Sequence, residues 1–420
     1  AHCYNLSRLY NGRQLNYLGE SAFYGCRKFG DLGATINQDS IKPYTFYGTS
    51  AHVTFSNLVT TIEESAFESC TSLYITSSAV KTIGYRAFYS SSTSNILPLF
   101  STIQTINTYS FYSCHVGLTY LTTITFSALT SVPSRAFENF GCYGLSFPRI
   151  TSIANYAFAR CSMTSFSFGS SLSSLVINAF ESCSSLASFS GSSSYYRTND
   201  GFLLKGSSII RCPVKKKLRT LPSASSIGDY AFANCSFYST NIPLNFTLSS
   251  SITSIGSYAF HNFRSTTYFK ILGSVSISSY AFASCTASSI EINSAKSIGD
   301  YAFSSASTTS LQIPTSLTSI SNAAFVFSNI RSFRMPTNVP YFSVQSGSLF
   351  NFNNQTLYRY AGTSSSYTVP RTVKIINHYA FHGSSLYTIS FSSIYNLTTI
   401  YSYAFYSCTR LQSITLPDNV

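Results

Sequence analysis

The 420-residue chain has no tryptophan, only 2 methionines, and only 9% Asp, Glu, Lys and Arg, where ordinary soluble domains carry roughly 25% charged residues. A surface so poor in charge must be made polar by Ser, Thr, Asn and Tyr, which suits the outside of a cell. No run of 18 or more apolar residues occurs, so no segment reads as a transmembrane helix. The 11 cysteines include no C-x-x-C pair, which removes the common zinc spacings. There is no G-x-S-x-G elbow, phosphate loop or dinucleotide fingerprint, so neither an enzyme nor a cofactor is expected. His378 and His382 are four residues apart, but no acid lies close in sequence to serve as third ligand or base. The opening residues AHCYNLSRLY lack the basic start and apolar middle of a signal peptide, so the chain reads as a mature protein or a piece of one.

What the chain does have is 35 Phe, 32 Tyr and a repeated phrase. SIGSYAFHNF at 254–263 is preceded by SIGDYAFANC and followed by SISSYAFASC. Alignment on Phe gives fifteen turns, from Phe23 to Phe405, mostly 21 to 24 residues apart. Five residues before each Phe stands an aliphatic residue, and immediately before it Ala in thirteen turns. Positions i, i+4 and i+5 share one side of a helical turn, so the unit I-x-x-Y-A-F predicts a short helical segment with all three buried. A brief alternation follows it, such as LYIT from Leu73 or IEIN from Ile290, and predicts a short strand with one face buried. One strand and one helical turn cannot bury their own apolar faces, so the units must stack. The prediction is a leucine-rich-repeat-type solenoid over 1–420, with a parallel sheet on one side and helical turns on the other. Eight cysteines stand three residues after the repeat Phe, where Ser, Thr, Ala or Phe otherwise appears, and so read as buried thiols in a core slot.

Two intervals are longer, 52 residues after Phe180 and 56 after Phe325. Each contains Gly, apolar residues, a polar turn and a second apolar run ending in Arg, which predicts β-hairpin insertions at 200–213 and 346–361. The phrase S-I-x-x-Y-A-F-x-x-C, with these interspersed segments, resembles the BspA-like leucine-rich repeat proteins over essentially the whole chain. That resemblance implies a right-handed solenoid at the cell surface with a role in adhesion to host proteins or other cells. It brings no catalytic residues.

Several groups are candidates for contact. Lys205, Arg211, Lys215, Lys216, Lys217 and Arg219 collect with no acid nearby, in a chain of net charge +13, and would attract an anionic ligand such as an acidic glycan. No groove-reading helix or basic and aromatic platform is apparent, so nucleic acid is not expected. Tyr230, Tyr258, Tyr280 and Tyr301 stand two residues before Phe in consecutive turns. They should form an aromatic stripe, either covering neighbouring backbone or offering a surface to a sugar ring or another solenoid. Ser188, Ser190, Ser310 and Gln312 belong to strand positions expected to face solvent. Sequons at Asn5, Asn245, Asn354 and Asn396 are glycosylation candidates, while Asn234, beside a core cysteine, is expected to be less accessible. The last residues, LQSITLPDNV, stop where another repeat would start, and no polar cap is visible. The chain is therefore expected to be cut from a longer one, or to meet other subunits at its ends. Two functions follow as expectations: an extracellular adhesion or binding protein whose partner is a host or matrix protein, a glycan or itself, and a structural subunit of a surface filament or coat.

Overall fold

The computed structural model describes all residues except 1–2, 10–13, 78, 118–121, 216–220, 238–245, 266–267, 337–339, 392–395 and 417–419, and the side chains of Ser94 and Phe237. It is a β-solenoid of about 17 turns with parallel sheets. Two compact units divide it, one of residues 1–206 with 213–216, the other of 207–212 with 217–420.

Inward placement of the repeat positions holds. Ile62, Ala66 and Phe67 in the first unit and Ile255, Ala259 and Phe260 in the second are fully buried. Phe23, Phe46, Phe67, Phe88, Phe111, Phe137 and Phe158 stack ring on ring at 5.1 to 5.6 Å. In the second unit Phe232, Phe260, Phe282 and Phe303 do the same at 5.0 to 5.2 Å. Each interior ring is thus covered on both faces by its own equivalents, which is how a unit too short to fold alone obtains its core. The aliphatic position forms a ladder too. Ile41, Ile62, Ile83 and Ile106 are register partners in parallel pairs, as are Ile227, Ile255, Ile277, Ile298 and Ile320.

The helical prediction fails. Among the described residues the only helices are one α-helical turn at Leu97–Phe100 and one 3₁₀ turn at Ile177–Phe180. Elsewhere the I-x-x-Y-A-F segment is a chain of β-turns whose amides alternate in direction. The amides of Ala259, His261 and Phe263 donate back three residues, to the carbonyls of Gly256, Tyr258 and Phe260. Those of Tyr258, Phe260 and Asn262 cross to the next turn, to the carbonyls of Ser279, Ala281 and Ala283 at 3.3, 2.7 and 2.9 Å. The cause lies in the backbone: Tyr258 and Asn262 have φ of 56° and 52°, and a right-handed helix requires negative φ throughout. Left-handed residues cost about 1–2 kcal/mol each when they are not glycine. The crossing hydrogen bonds, worth about 0.5–1.5 kcal/mol apiece, offset that cost.

The slot after the turn is more than a gap in the core. The Sγ of Cys70, Cys161 and Cys183 donates to the carbonyl of Phe46, Phe137 and Phe158 in the preceding turn at 2.9 to 3.0 Å. Ser91 Oγ makes the equivalent bond to Phe67. Where such a donor stands there it satisfies a buried carbonyl, while Phe140, Phe263 and Ala306 fill the same slot without a side-chain donor. Cys26, Cys70, Cys114, Cys161, Cys235 and Cys285 are buried free thiols, and burial pushes Cys70 up to about 11 and Cys285 up to about 12.

In the first unit, strands Gln14–Leu15, Asp31–Ile36, His52–Phe55, Leu73–Thr76, Ser92–Asn95 and His115–Val116 form one sheet in that order. Thr123–Thr125, Gly144–Phe147, Ser165–Phe168 and Ser188–Gly191 form another. Strands Tyr268–Ile277 and Thr286–Ile298 run together in the second unit. Antiparallel pairing occurs in both long intervals and begins before 200–213 and 346–361. Tyr196–Asn199 pairs with Phe202–Lys205 around Asp200 and Gly201, at φ of 47° and 75°. Phe342–Gln345 pairs with Ser348–Asn351 around Ser346 and Gly347, at 47° and 76°. Two left-handed residues in a two-residue loop match strand twist, so Gly201 and Gly347 lie in the turns that join each segment to the strand before it. Ser348–Asn351 also pairs antiparallel with Thr356–Arg359.

Candidate functional site

The left-handed position of the turn projects its side chain outward while Ala and Phe point in. In the second unit it holds Tyr230, Tyr258, Tyr280 and Tyr301, all with φ between 56° and 58°. Their rings stack at 4.9, 4.7 and 4.9 Å with interplanar angles of 3°, 3° and 9°. The predicted stripe is therefore assembled, with Tyr230 exposed and the other three half-buried. Burial and the phenols on either side raise the Tyr280 pKa. Because each interior ring is sandwiched by its neighbours, Tyr258 and Tyr280 have no free face for a sugar ring. What they present is a row of edges and hydroxyls.

Another aromatic group of this unit joins Tyr379 and Tyr403, which share the stripe's position two residues before Phe, with three rings that the sequence reading missed, Phe327, His382 and Tyr406. Phe327 lies 4.7 Å from Tyr379, Tyr379 stacks on Tyr403 at 5.1 Å, and His382 stacks on Tyr406 at 5.6 Å. Tyr403 is 61% exposed, Tyr406 47% and Phe327 41%. His382 and Tyr406 both stand one residue after a repeat Phe, a recurrence visible in the sequence, whereas Phe327 replaces the usual Ser, Gly or Asn two residues after it. The first unit uses the position one residue after Phe for Tyr24 and Tyr47, stacked at 4.6 Å, and for Tyr89 and Tyr112, at 4.7 Å. Charged pairs occupy other turns of that unit: Glu138, almost fully buried, accepts from Arg135 and Arg160 at 2.7 and 2.8 Å, and Glu68 accepts from Arg86.

The basic candidates are less uniform than their spacing suggests. Lys205 is exposed, with its Nζ 5.8 Å from the centre of the Tyr196 ring, and Lys215 is exposed. Arg211, in contrast, is buried and donates to the Tyr230 carbonyl at 3.0 Å. It is therefore not a surface cation, which corrects its place in the anionic-ligand patch. Arg359 repeats the arrangement, buried and donating to the Tyr379 carbonyl at 2.6 Å, with further bonds to the Ser328 and His382 carbonyls. The Arg near the end of each antiparallel segment thus anchors the backbone of the repeat tyrosine in the next turn. Lys216, Lys217 and Arg219 lie outside the described residues.

Asn5 is exposed and accepts from Lys28 Nζ at 3.1 Å. Asn396 is exposed, and its Nδ2, the atom a glycan would join, donates to the Arg371 carbonyl at 3.0 Å. Asn354 lies at the turn between Ser348–Asn351 and Thr356–Arg359, half-buried, where its Oδ1 accepts from Ser343. Asn234 is exposed, contrary to the expectation from its buried neighbour Cys235, because its left-handed backbone turns the side chain outward. Asn245 lies outside the described residues. On the strands, Ser310 is buried against Ser289 Oγ at 2.9 Å rather than facing solvent. Among the described residues, no group of three or more His, Cys, Asp or Glu is placed to hold a metal, and no helix is long and apolar enough to cross a membrane.

Turns of near-constant length, stacked through parallel strands and a ring-on-ring core, define the chain as a solenoid repeat protein. It belongs to the BspA-type leucine-rich repeat family, whose repeat region matches residues 1–117, 116–236, 225–351 and 351–420. Solved structures similar to it include a leucine-rich cell surface protein from Faecalibacterium prausnitzii A2-165, at 18% identity and a TM-score of 0.49, covering 98% of this chain and 92% of that one. A leucine-rich repeat protein from Eubacterium ventriosum ATCC 27560 matches at 17% identity and a TM-score of 0.44, over 98% of this chain and 92% of its own. The pneumococcal vaccine antigen PcpA matches at 14% identity and 0.44, over 94% and 87%. Comparison with curated proteins returns no match.

Proposed function

We propose that the chain is a non-enzymatic extracellular surface protein that adheres to a host or matrix protein through the tyrosine face of its second unit. The observation that carries this reading is the row Tyr230, Tyr258, Tyr280 and Tyr301, with steps of 4.7 to 4.9 Å. Tyr is among the residues that dominate protein interfaces, since it offers apolar area and a hydrogen-bonding tip at little entropic cost. Stacking fixes these rings before any partner arrives, so less freedom is lost on binding. Membership of the BspA-type family supports the surface role.

The test is binding of the full chain to a panel of immobilised matrix proteins, measured by surface plasmon resonance, beside the double variant Tyr258→Ser, Tyr280→Ser. At least one matrix protein should bind, and the double variant should weaken that binding about tenfold or more, the loss of roughly 1.4 kcal/mol. Binding unchanged in the variant would remove the tyrosine face from the interaction. If no matrix protein binds and sedimentation shows rods growing with concentration, the chain's partner is itself and the filament reading replaces this one.

A further inference from the structure

The sheet of the first unit contains a groove that the repeat alone does not explain. Asp31, His52 and Tyr74 are register neighbours on three adjacent strands, and the rings of His52 and Tyr74 lie 4.9 Å apart at 31°. A second row beside them runs Gln14, Thr35, Thr54 and Thr76, with Thr76 Oγ1 3.2 Å from Thr54 Oγ1. Between Asp31 and Thr35 the register shifts. Gly33 sits in this bulge at φ 61°, and its amide donates to Asp31 Oδ1 at 2.9 Å, holding the carboxylate in place. A Cβ at Gly33 would stand 2.6 Å from the Leu9 carbonyl oxygen, so only glycine fits. Bulges of this kind re-aim side chains and occur at functional positions. Here the result is a groove of about 490 Å³, lined by Gln14, Asp31, Gly33, Thr35, His52 and Tyr74 among others, within the roughly 300–1,000 Å³ usual for small-molecule clefts.

The lining specifies a chemistry. It includes one carboxylate, an amide, two threonine hydroxyls and two adjacent rings, and it includes neither Lys nor Arg. The lining itself offers an anionic ligand no Lys or Arg to offset Asp31, and Arg8, whose backbone bridges to Asp31, stands outside it. A simple cation would use the carboxylate and leave the hydroxyls of Thr35 and Thr54 idle. A neutral polyol with one apolar face uses all of them: adjacent hydroxyls donate to the Asp31 carboxylate, others exchange bonds with Gln14 and the threonines, and the C–H face lies against one ring of the His52–Tyr74 pair. We propose that this groove binds a neutral pyranose unit of a glycan chain. The site lies in the other unit from the tyrosine face and does not depend on it.

The experiment is saturation-transfer difference NMR on the full chain with the methyl glycosides of glucose, galactose and mannose. N-Acetylneuraminic acid and tetramethylammonium chloride serve as charged probes. At least one neutral glycoside should receive saturation. Asp31→Asn, which keeps the oxygen that holds Gly33, and Tyr74→Ala should each weaken that binding about tenfold or more. Tyr258→Ser should leave it unchanged, which separates this site from the proposed adhesion face. Circular dichroism melts establish that each variant is folded, and Asp31→Asn alone decides the case if Tyr74→Ala is not. The proposal is overturned if no neutral glycoside binds, if folded variants bind as the wild type does, or if either charged probe binds more tightly than the glycosides.

Discussion

A buried thiol such as Cys70 titrates far from its ordinary value, and the direction sets how stability depends on pH. Burial holds its pKa up at about 11, above the value near 9.0 expected for the unfolded chain. The unfolded form therefore releases its proton first, and deprotonation draws the equilibrium towards unfolding. Stability contributed by the protonated Cys70 is complete below about pH 8 and declines as pH rises from about 9 to 11. Replacing Cys70 with Ser keeps a donor for the Phe46 carbonyl, as Ser91 shows in the next turn, and removes the titrating group. Melting temperatures of wild type and Cys70→Ser, measured from pH 7 to 11, should diverge in slope above pH 9. Parallel curves would mean that Cys70 does not carry this dependence.

Within one turn, the backbone and the side chain at the tyrosine position make opposite demands, which a pair of variants separates. Tyr258→Gly and Tyr258→Ala both remove the ring from its stack at 4.9 and 4.7 Å between Tyr230 and Tyr280. At φ 56° glycine meets no Cβ penalty and alanine does. The Gly variant should be more stable than the Ala variant by about 1 kcal/mol in denaturant titration, the reverse of their order inside a helix. If Ala is the more stable, the left-handed turn is not what the element requires. This conflict also shows why the inward face was legible in the sequence and the helix was not. Burial of Ile255, Ala259 and Phe260 satisfies a helical turn and a chain of β-turns equally, since the apolar pattern records which residues face in and not the sign of φ. A signal did exist two residues after six of the fifteen Phe, where Gly25, Gly48, Asn139, Asn234, Asn262 and Gly383 stand, residues tolerant of left-handed backbone. The Tyr230 to Tyr301 stripe was readable from spacing alone. Burial of Arg211 was not, because its partner is the carbonyl of Tyr230, nineteen residues away in the chain.

For the molecule as a whole, a net charge of +13 in 420 residues gives a weak, spread attraction for polyanions that the exposed Lys205 and Lys215 sharpen locally. On a heparin column Lys205→Ala with Lys215→Ala should elute at lower salt than the wild type. Arg211→Ala should elute later than that pair and instead show a lower melting temperature, because its guanidinium serves the Tyr230 carbonyl. Equal elution of all three proteins would place the attraction elsewhere. The alternating amides have a different consequence, for how such a chain changes length over generations. Phe232 donates to Ala259 and Phe260 to Ala281, so these turns offer their neighbours equivalent carbonyls. Excising residues 256–277 would join Ile255 to SSYAF at 278–282, leaving Phe232 opposite Ala281 as it now stands opposite Ala259. A shortened chain made this way should keep the circular dichroism spectrum and cooperative melt of its parent. If so, unequal recombination within the gene can add or remove whole turns without a folding penalty, and the length of the solenoid becomes a trait that drifts freely between lineages.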